Sequence, residues 1–193
     1  MKRTTLIVTL CVLVVCLATP STLLAQEQKT SQELKKESKQ AKINEVAAET
    51  LERLFAENAK AKDLYDEAVG WAVFDNTKVA FGLSGGGGKG VAVDKESGHR
   101  VYMNMGTAGV GLGLGVNKFQ IVFLFQDETT LKNFVDKGWQ ADAGATASAG
   151  KESAEVKTAF VNGLAIYQLT EKGLMLNADI AGTKYWQDKD LNE

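Results

Sequence analysis

The residues of this chain with the clearest chemical potential are a glycine run holding one lysine, Gly85-Gly86-Gly87-Gly88-Lys89-Gly90. Consecutive glycines leave backbone N–H groups open to an anion, and the neighbouring ammonium adds charge, so Gly86, Gly87, Gly88 and Lys89 together could cradle a phosphate. A nucleotide P-loop is excluded by spacing. It needs glycine at position 83 and Ser or Thr at position 90, where this chain has Leu83 and Gly90. The plainer reading is a tight or bulged hairpin, which the frequency of glycine in turns favours.

Other reactive types are sparse. His99 is the single histidine, and the two cysteines, Cys11 and Cys16, lie in an apolar N-terminal stretch. Structural zinc takes several His or Cys ligands, so neither a metal site nor another cofactor is expected. Ser84 and Ser148 have no partner base and no nucleophile-elbow motif around them. Asp142, set among alanines, could face a cavity, but a solvated or turn-bonded carboxylate is the commoner case. No constellation supports an enzyme.

Lys2 and Arg3 precede an uncharged, largely apolar stretch from Leu6 to Ala18, and Leu23-Leu24-Ala25 offers a small residue before Gln26. This reads as a secretory signal over residues 1–25, too short for a good membrane span. Leu10 and Val15 stand where a lipid-anchored protein would have a small residue before its acylated cysteine, so a periplasmic or secreted protein is expected. Removing the leader also removes both cysteines and the only proline, Pro20, so no disulfide forms. The full chain has a net charge of −2, and loss of Lys2 and Arg3 makes it more acidic, which argues against nucleic-acid binding.

These residues must be positioned by a helical preface and a sheet. Residues 26–42 are densely charged without an apolar stripe, as in a frayed leader or the exposed start of a helix. From Ile43, apolar residues Val46, Ala47, Leu51, Leu54, Ala61, Leu64 and Ala68 recur at helical steps, marking one amphipathic helix or a broken pair. Beyond Gly70 the period falls to two. Candidate strands cover residues 70–74, 78–85, 89–94, 100–105, 109–116 and 119–125, with turns at 95–98 and at Asn117-Lys118. A short helix over 129–137, capped by Thr129 or Asp127 and stopped by Gly138, precedes further strands over 139–149, 161–169 and 174–181. Most of the nineteen glycines lie between Gly70 and Gly115, many at every second position, which suits a curved sheet approached closely by other backbone. The short connections favour antiparallel pairing. The expected fold class is α+β: a glycine-rich antiparallel, barrel-like sheet with an N-terminal amphipathic helix and one short internal helix.

Gly70-Trp71-Ala72-Val73-Phe74 followed by Phe81-Gly82-Leu83-Ser84-Gly85-Gly86-Gly87-Gly88-Lys89-Gly90-Val91 resembles the SYLF-domain family. So do Gly113-Leu114-Gly115-Val116 leading into Ile121 to Phe125, Asn133-Phe134 ending at Gly138-Trp139, and the Ala141 to Gly150 stretch. Tyr167-Gln168-Leu169-Thr170 and Gly182-Thr183-Lys184-Tyr185-Trp186 look like its exported bacterial branch. The likeness covers about residues 45–186, within a domain placed at 43–186 and followed by a polar tail at 187–193. It implies a lipid-binding domain whose eukaryotic relatives bind phosphoinositides and include actin-binding proteins. Asp75 stands where many members have proline, and the loop before Val101 lacks their tryptophan and proline, so headgroup preference does not carry across.

An exported protein would meet neither cytosolic actin nor phosphoinositides, which leaves an envelope phospholipid or membrane surface as the expected partner. Lys78, Lys89, Arg100 and Lys118 are the candidate phosphate contacts. Leu51, Leu54 and Phe55 could enter a bilayer interface, although packing against the sheet is favoured for a stripe of that width, and Glu45, Glu49, Glu52 and Glu57 would repel an anionic surface. The alternatives are an envelope protein-interaction module using the charged leader and helix, and an outer-membrane barrel, which the helical start and polar C-terminus disfavour.

Overall fold

The computed structural model describes residues 20–140, 159–175 and 182–193. Residues 1–39 and 40–193 form separate compact units. Helix α1 (Pro20–Glu57) supplies the described part of the first unit, where its side chains from Thr30 to Lys39 are almost all exposed, as a stretch without an apolar stripe requires. Its residues 40–57 belong to the second unit and carry the predicted stripe. The helical register breaks at Asn58, whose extended backbone and side-chain acceptance from the Ala61 N–H (3.1 Å) start α2 (Ala59–Glu67). The apolar pattern is thus a broken pair.

The six short strands predicted between residues 70 and 125 are two long ones, β1 (Gly70–Asp94) and β2 (Arg100–Phe125), paired antiparallel along almost their full length. The Lys95 to Gly98 turn joins them as expected. Asn117-Lys118 is no turn: Asn117 pairs with Lys78 and Lys118 with Thr77 inside the ladder. Nor is the glycine run a hairpin, since Gly86, Gly87 and Gly88 pair with Thr107, Gly106 and Met105.

The reason for the glycines lies within β1 itself. A methyl group on Gly86 would strike the Thr77 carbonyl, one on Gly88 the Asp75 carbonyl, and one on Gly90 the Val73 carbonyl. These contacts step in opposite directions along the chain, so the second half of β1 lies face to face over the first. A register shift between Phe81 and Leu83 marks the bend. Only residues without a Cβ permit two backbones to stack this closely.

Beyond this ribbon come α3 (Glu128–Lys137), β3 (Trp139–Gln140), β4 (Leu164–Thr170), β5 (Gly173–Met175), β6 (Thr183–Gln187) and α4 (Lys189–Asn192). The sheet order is β3-β6-β2-β4-β5, with β1 also paired to β2, and every pairing is antiparallel. The α+β class therefore holds. Among the described residues the sheet does not close, so the expected barrel is not seen; residues 141–149 and 176–181 of the later strand candidates lie outside them. Asp127 caps α3 by accepting from the Thr130 N–H (2.9 Å), and Gly138, at φ 72°, ends it. The polar C-terminal tail is in fact anchored. Leu191 is buried, and Asn192 accepts from the Tyr102 N–H (2.9 Å) while donating to its carbonyl (2.8 Å).

Two cores flank the sheet. On one face Trp71, Val73, Val122, Leu124, Tyr167 and Leu169 meet Ala47, Leu51, Leu54, Ala61 and Leu64 of α1 and α2. On the other, Phe74, Met103, Met105, Ile121, Phe123 and Phe125 meet Leu131 and Phe134 of α3 and Tyr185 of β6. Rings in this second core pack mostly edge-on or tilted, Phe74 against Tyr185 at 4.7 Å and Phe123 against Phe134 at 5.0 Å. Both cores cover only the part of the ribbon near its ends, and that limit leaves the bend bare.

Candidate functional site

The bend consists of β1 from Thr77 to Phe81 and the facing β2 residues up to Lys118. Val79 lies opposite Val116 in the ladder, Phe81 lies two residues further on the same face, and these side chains are 50%, 64% and 79% exposed. The reverse face at this level is Ala80 opposite Gly115, and nothing lies within 4 Å of a methyl built on Gly115. The outward face of the bend is therefore apolar at Val79, Phe81 and Val116. One step toward the body, Lys118 opposite Thr77 shares the Val79 face, while Lys78 opposite Asn117 sits on the reverse. Lys118 is exposed and Lys78 half-buried. Two of the four predicted basic contacts are thus brought together.

The other two are elsewhere. Lys89 Nζ forms an ion pair with the buried carboxylate of Asp188 and donates to Asn104 Oδ1 (3.1 Å). Arg100 donates from Nη1 to Asn44 Oδ1 (3.0 Å) at the start of β2. The backbone groups of Gly86, Gly87 and Gly88 belong to a strand ladder, with Gly86 and Gly88 turned inward against β1 and Gly87 exposed. This is the geometry of a packed strand; a phosphate nest would need N–H groups converging in a turn. The predicted membrane-facing helix is likewise corrected. Leu51 and Leu54 are core residues, and Phe55 packs on Tyr65 with ring centroids 5.0 Å apart.

A cavity of about 490 Å³ lies between the β1–β2 turn and α3, with Asp94, His99, Arg100, Lys132, Asp136 and Gln187 in its wall. Several of its polar groups serve the fold. Asp94 accepts from the Ser97 N–H (2.9 Å), a bond that holds its carboxyl below the usual range. Glu128 beside Lys132 raises the ammonium, and Gln187 donates to the Val135 carbonyl (3.2 Å). Asp127, bonded by the Thr130 backbone and side chain, is also lowered. In β4 and β6, burial pushes the Tyr167 hydroxyl up to about 12 and Tyr185 above its ordinary value, the Thr183 side chain acting the other way on Tyr185. Asn76 and Ser84 are buried with side-chain polar atoms that make no hydrogen bond. Among the described residues there is no group of three or more His, Cys, Asp or Glu able to hold a metal, and no helix long and apolar enough to cross a membrane.

Sequence reasoning reached Lys78 and Lys118 but passed over Val79, Phe81 and Val116 as ordinary strand residues. A signal was present. Between Asn76 and Val93, and again between Val101 and Phe125, the chain has lysines and no acidic residue, and its large side chains near the bend are all apolar.

Comparison with known proteins fits this glycine-rich architecture. The family model described as Ysc84, Las17-binding protein actin regulator, matches residues 106–193, from the middle of β2 to the C-terminus. The chain carries a SYLF domain of the Ysc84 family. It is also 46% identical over 160 residues to Beta cell expansion factor A of Aeromonas veronii, a match covering 82% of this chain. The chain spans 61% of that relative's length. Neither description names a catalytic activity, and the SYLF domain here is related through its family to an actin regulator.

Proposed function

We propose that this SYLF domain is a non-catalytic lipid-binding protein of the bacterial envelope, exported by residues 1–25, that contacts phospholipid surfaces. The observation that carries the reading is the charge distribution of the ribbon. In a chain of net charge −2, the stretches from Asn76 to Val93 and from Val101 to Phe125 hold three lysines and no carboxylate of their own; Lys89 is paired with Asp188, and Lys118 is exposed. A local basic surface on an acidic protein is what attraction to an anionic leaflet requires. The family resemblance supports the same direction.

The test is flotation of the purified protein with vesicles of phosphatidylcholine alone and of phosphatidylcholine with phosphatidylglycerol, alongside native mass spectrometry of material from its own envelope. Flotation confined to anionic vesicles supports surface binding through the lysines, and co-purified stoichiometric lipid supports a pocket. Absence of both removes the reading.

A second reading has its own observation. The matching family is described by Las17 binding, a protein contact, so an envelope protein-interaction module without a lipid ligand is the alternative. In the exported reading this member does not meet cytosolic actin. The alternative predicts a stable complex with an envelope protein that survives delipidation.

A further inference from the structure

We propose that the doubled tip of the β1–β2 ribbon is a flap: residues 77–81 and 114–118 lift away from the layer they stack on, along a polar seam, while both hydrophobic cores remain folded. The inference concerns motion and is independent of what the protein binds.

The seam is defined by the ladder. Opposed residues of an antiparallel pair share a face, so in the flap Lys78 and Asn117, and Ala80 and Gly115, turn toward the seam. In the layer beneath, Gly86 and Thr107, and Ser84 and Gly109, turn toward it. The contacts at Gly86 fix this arrangement, because a methyl there would meet the Thr77 carbonyl at 2.5 Å and Lys78 Cα at 2.8 Å. None of these residues belongs to either core. Little apolar surface is therefore removed from water when the layers meet, and closure lacks the main driving force that holds the body of the sheet.

Closure also strips polar groups of water. Asn76, at the root of the flap, is 1% exposed, and neither its Oδ1 nor its Nδ2 has a hydrogen bond; Ser84 is 5% exposed, and its hydroxyl has none. Both side chains lie on the seam face, Asn76 by alternation with Phe74, whose ring meets the position of a methyl on Gly90. A buried donor or acceptor left unpaired carries its full desolvation penalty, and lifting the flap hydrates all three atoms. Closure is supported by close backbone packing at Gly86 and Gly88 and opposed by Asn76 and Ser84.

The pairing identifies the layer that moves. The layer beneath is supported by β6, which pairs with β2 from Met103 to Thr107, and the Gly182 carbonyl accepts from the Ala108 N–H (3.1 Å). Strand β4 leaves β2 at Phe119, opposite Thr170, so among the described residues β1 and β2 pair only with each other over 77–81 and 114–118. The register shift between Phe81 and Leu83 supplies a hinge. An open flap exposes Asn76, Ser84 and Thr107 together with the bare backbone face of Gly86, a polar surface that the closed form hides.

Amide hydrogen exchange of the full chain, resolved by NMR, tests this. Ladder-bonded amides of residues 77–81 and 114–118 are expected to exchange at least about a hundredfold faster than those of residues 71–74 and 121–125, through an opening that leaves the latter protected. Ser84→Ala and Asn76→Leu remove the unpaired atoms with little change of volume. Each is expected to slow exchange of the flap about fivefold or more, including at residues 114–118, which are remote in sequence from both substitutions. Circular dichroism verifies both folds, and Ser84→Ala, the smaller change, carries the test alone if Asn76→Leu misfolds. Equal protection of the two stretches overturns the inference by making the ribbon one cooperative unit. Fast flap exchange that neither variant slows also overturns it, since fraying strand ends would not respond to the seam.

Discussion

Two stretches of one ribbon have opposite fates. At residues 70–76 and 119–125, β1 and β2 alternate their side chains into two cores, and Phe74, Ile121, Phe123 and Leu124 have no exposed surface. At residues 79–81 and 115–116 the same strands, with the same alternation, hold Val79, Phe81 and Val116 in solvent. Strand, register and residue type are alike, so the difference comes from what covers them. Helices α1 to α3 and strand β4 cover the first stretch and not the second. An apolar strand residue is thus a statement about periodicity, and burial is decided by distant segments.

The comparison can be broken hardest at the fold-over. Gly88→Val would drive a branched side chain into the Asp75 carbonyl, and a loss of about 3 kcal/mol or more, or failure to fold, is expected in urea unfolding. A stable Gly88→Val protein would contradict the stacking of β1 on itself. Next comes the matched pair Phe123→Ala and Phe81→Ala. The first removes a ring packed against Phe74, Phe134, Trp139 and Tyr185 and should cost about 3–5 kcal/mol. The second should stay within about 0.5 kcal/mol of the parent in the same titration.

Smaller effects separate the lysines. Lys89→Gln leaves the buried Asp188 carboxylate without its ammonium and should cost about 1–2 kcal/mol, whereas Lys118→Gln on the exposed strand surface should change stability by less than about 0.5 kcal/mol. Equal costs would remove the distinction between a structural and a surface lysine. The smallest signals are in pH. Tyr167 and Tyr185 ionise more readily in the unfolded chain than in the folded sheet, so their contribution is complete below pH 10.0 and fades as pH rises toward about 12. Asp94 and Asp127 are lowered, so theirs is present above pH 3.8 and is lost as pH falls through their lower folded values. Melting temperatures across the pH range, with absorbance at the tyrosinate band, read both.

Much of this was legible from residue patterns. The helical stripe of Leu51, Leu54 and Leu64 and the period-two runs after Gly70 gave the class and the antiparallel pairing, because both follow from local geometry. The Asp127 cap and Gly138 stop were legible for the same reason. The glycine run was misleading because glycine permits both a turn and a close backbone approach, and only the course of the whole strand distinguishes them. Asn117-Lys118 carried turn residues, yet β1 supplied ladder partners that held the pair extended. Lys89 was indistinguishable from Lys78 by type, and its partner Asp188 lies ninety-nine residues away.

The sequence by itself determined the alternation of the strands, the helical faces, the poverty of catalytic groups and the acid-free character of the stretches around Lys78 and Lys118. These depend on nearest neighbours and on composition. Only the tertiary structure decided that β1 doubles over at its bend, that Gly86, Gly88 and Gly90 serve this stacking, that Lys89 and Arg100 are engaged, and that Val79, Phe81 and Val116 remain outside both cores. Each of these depends on which remote segment arrives within a few ångströms, and contact between residues far apart in the chain is set by the packing of the whole domain.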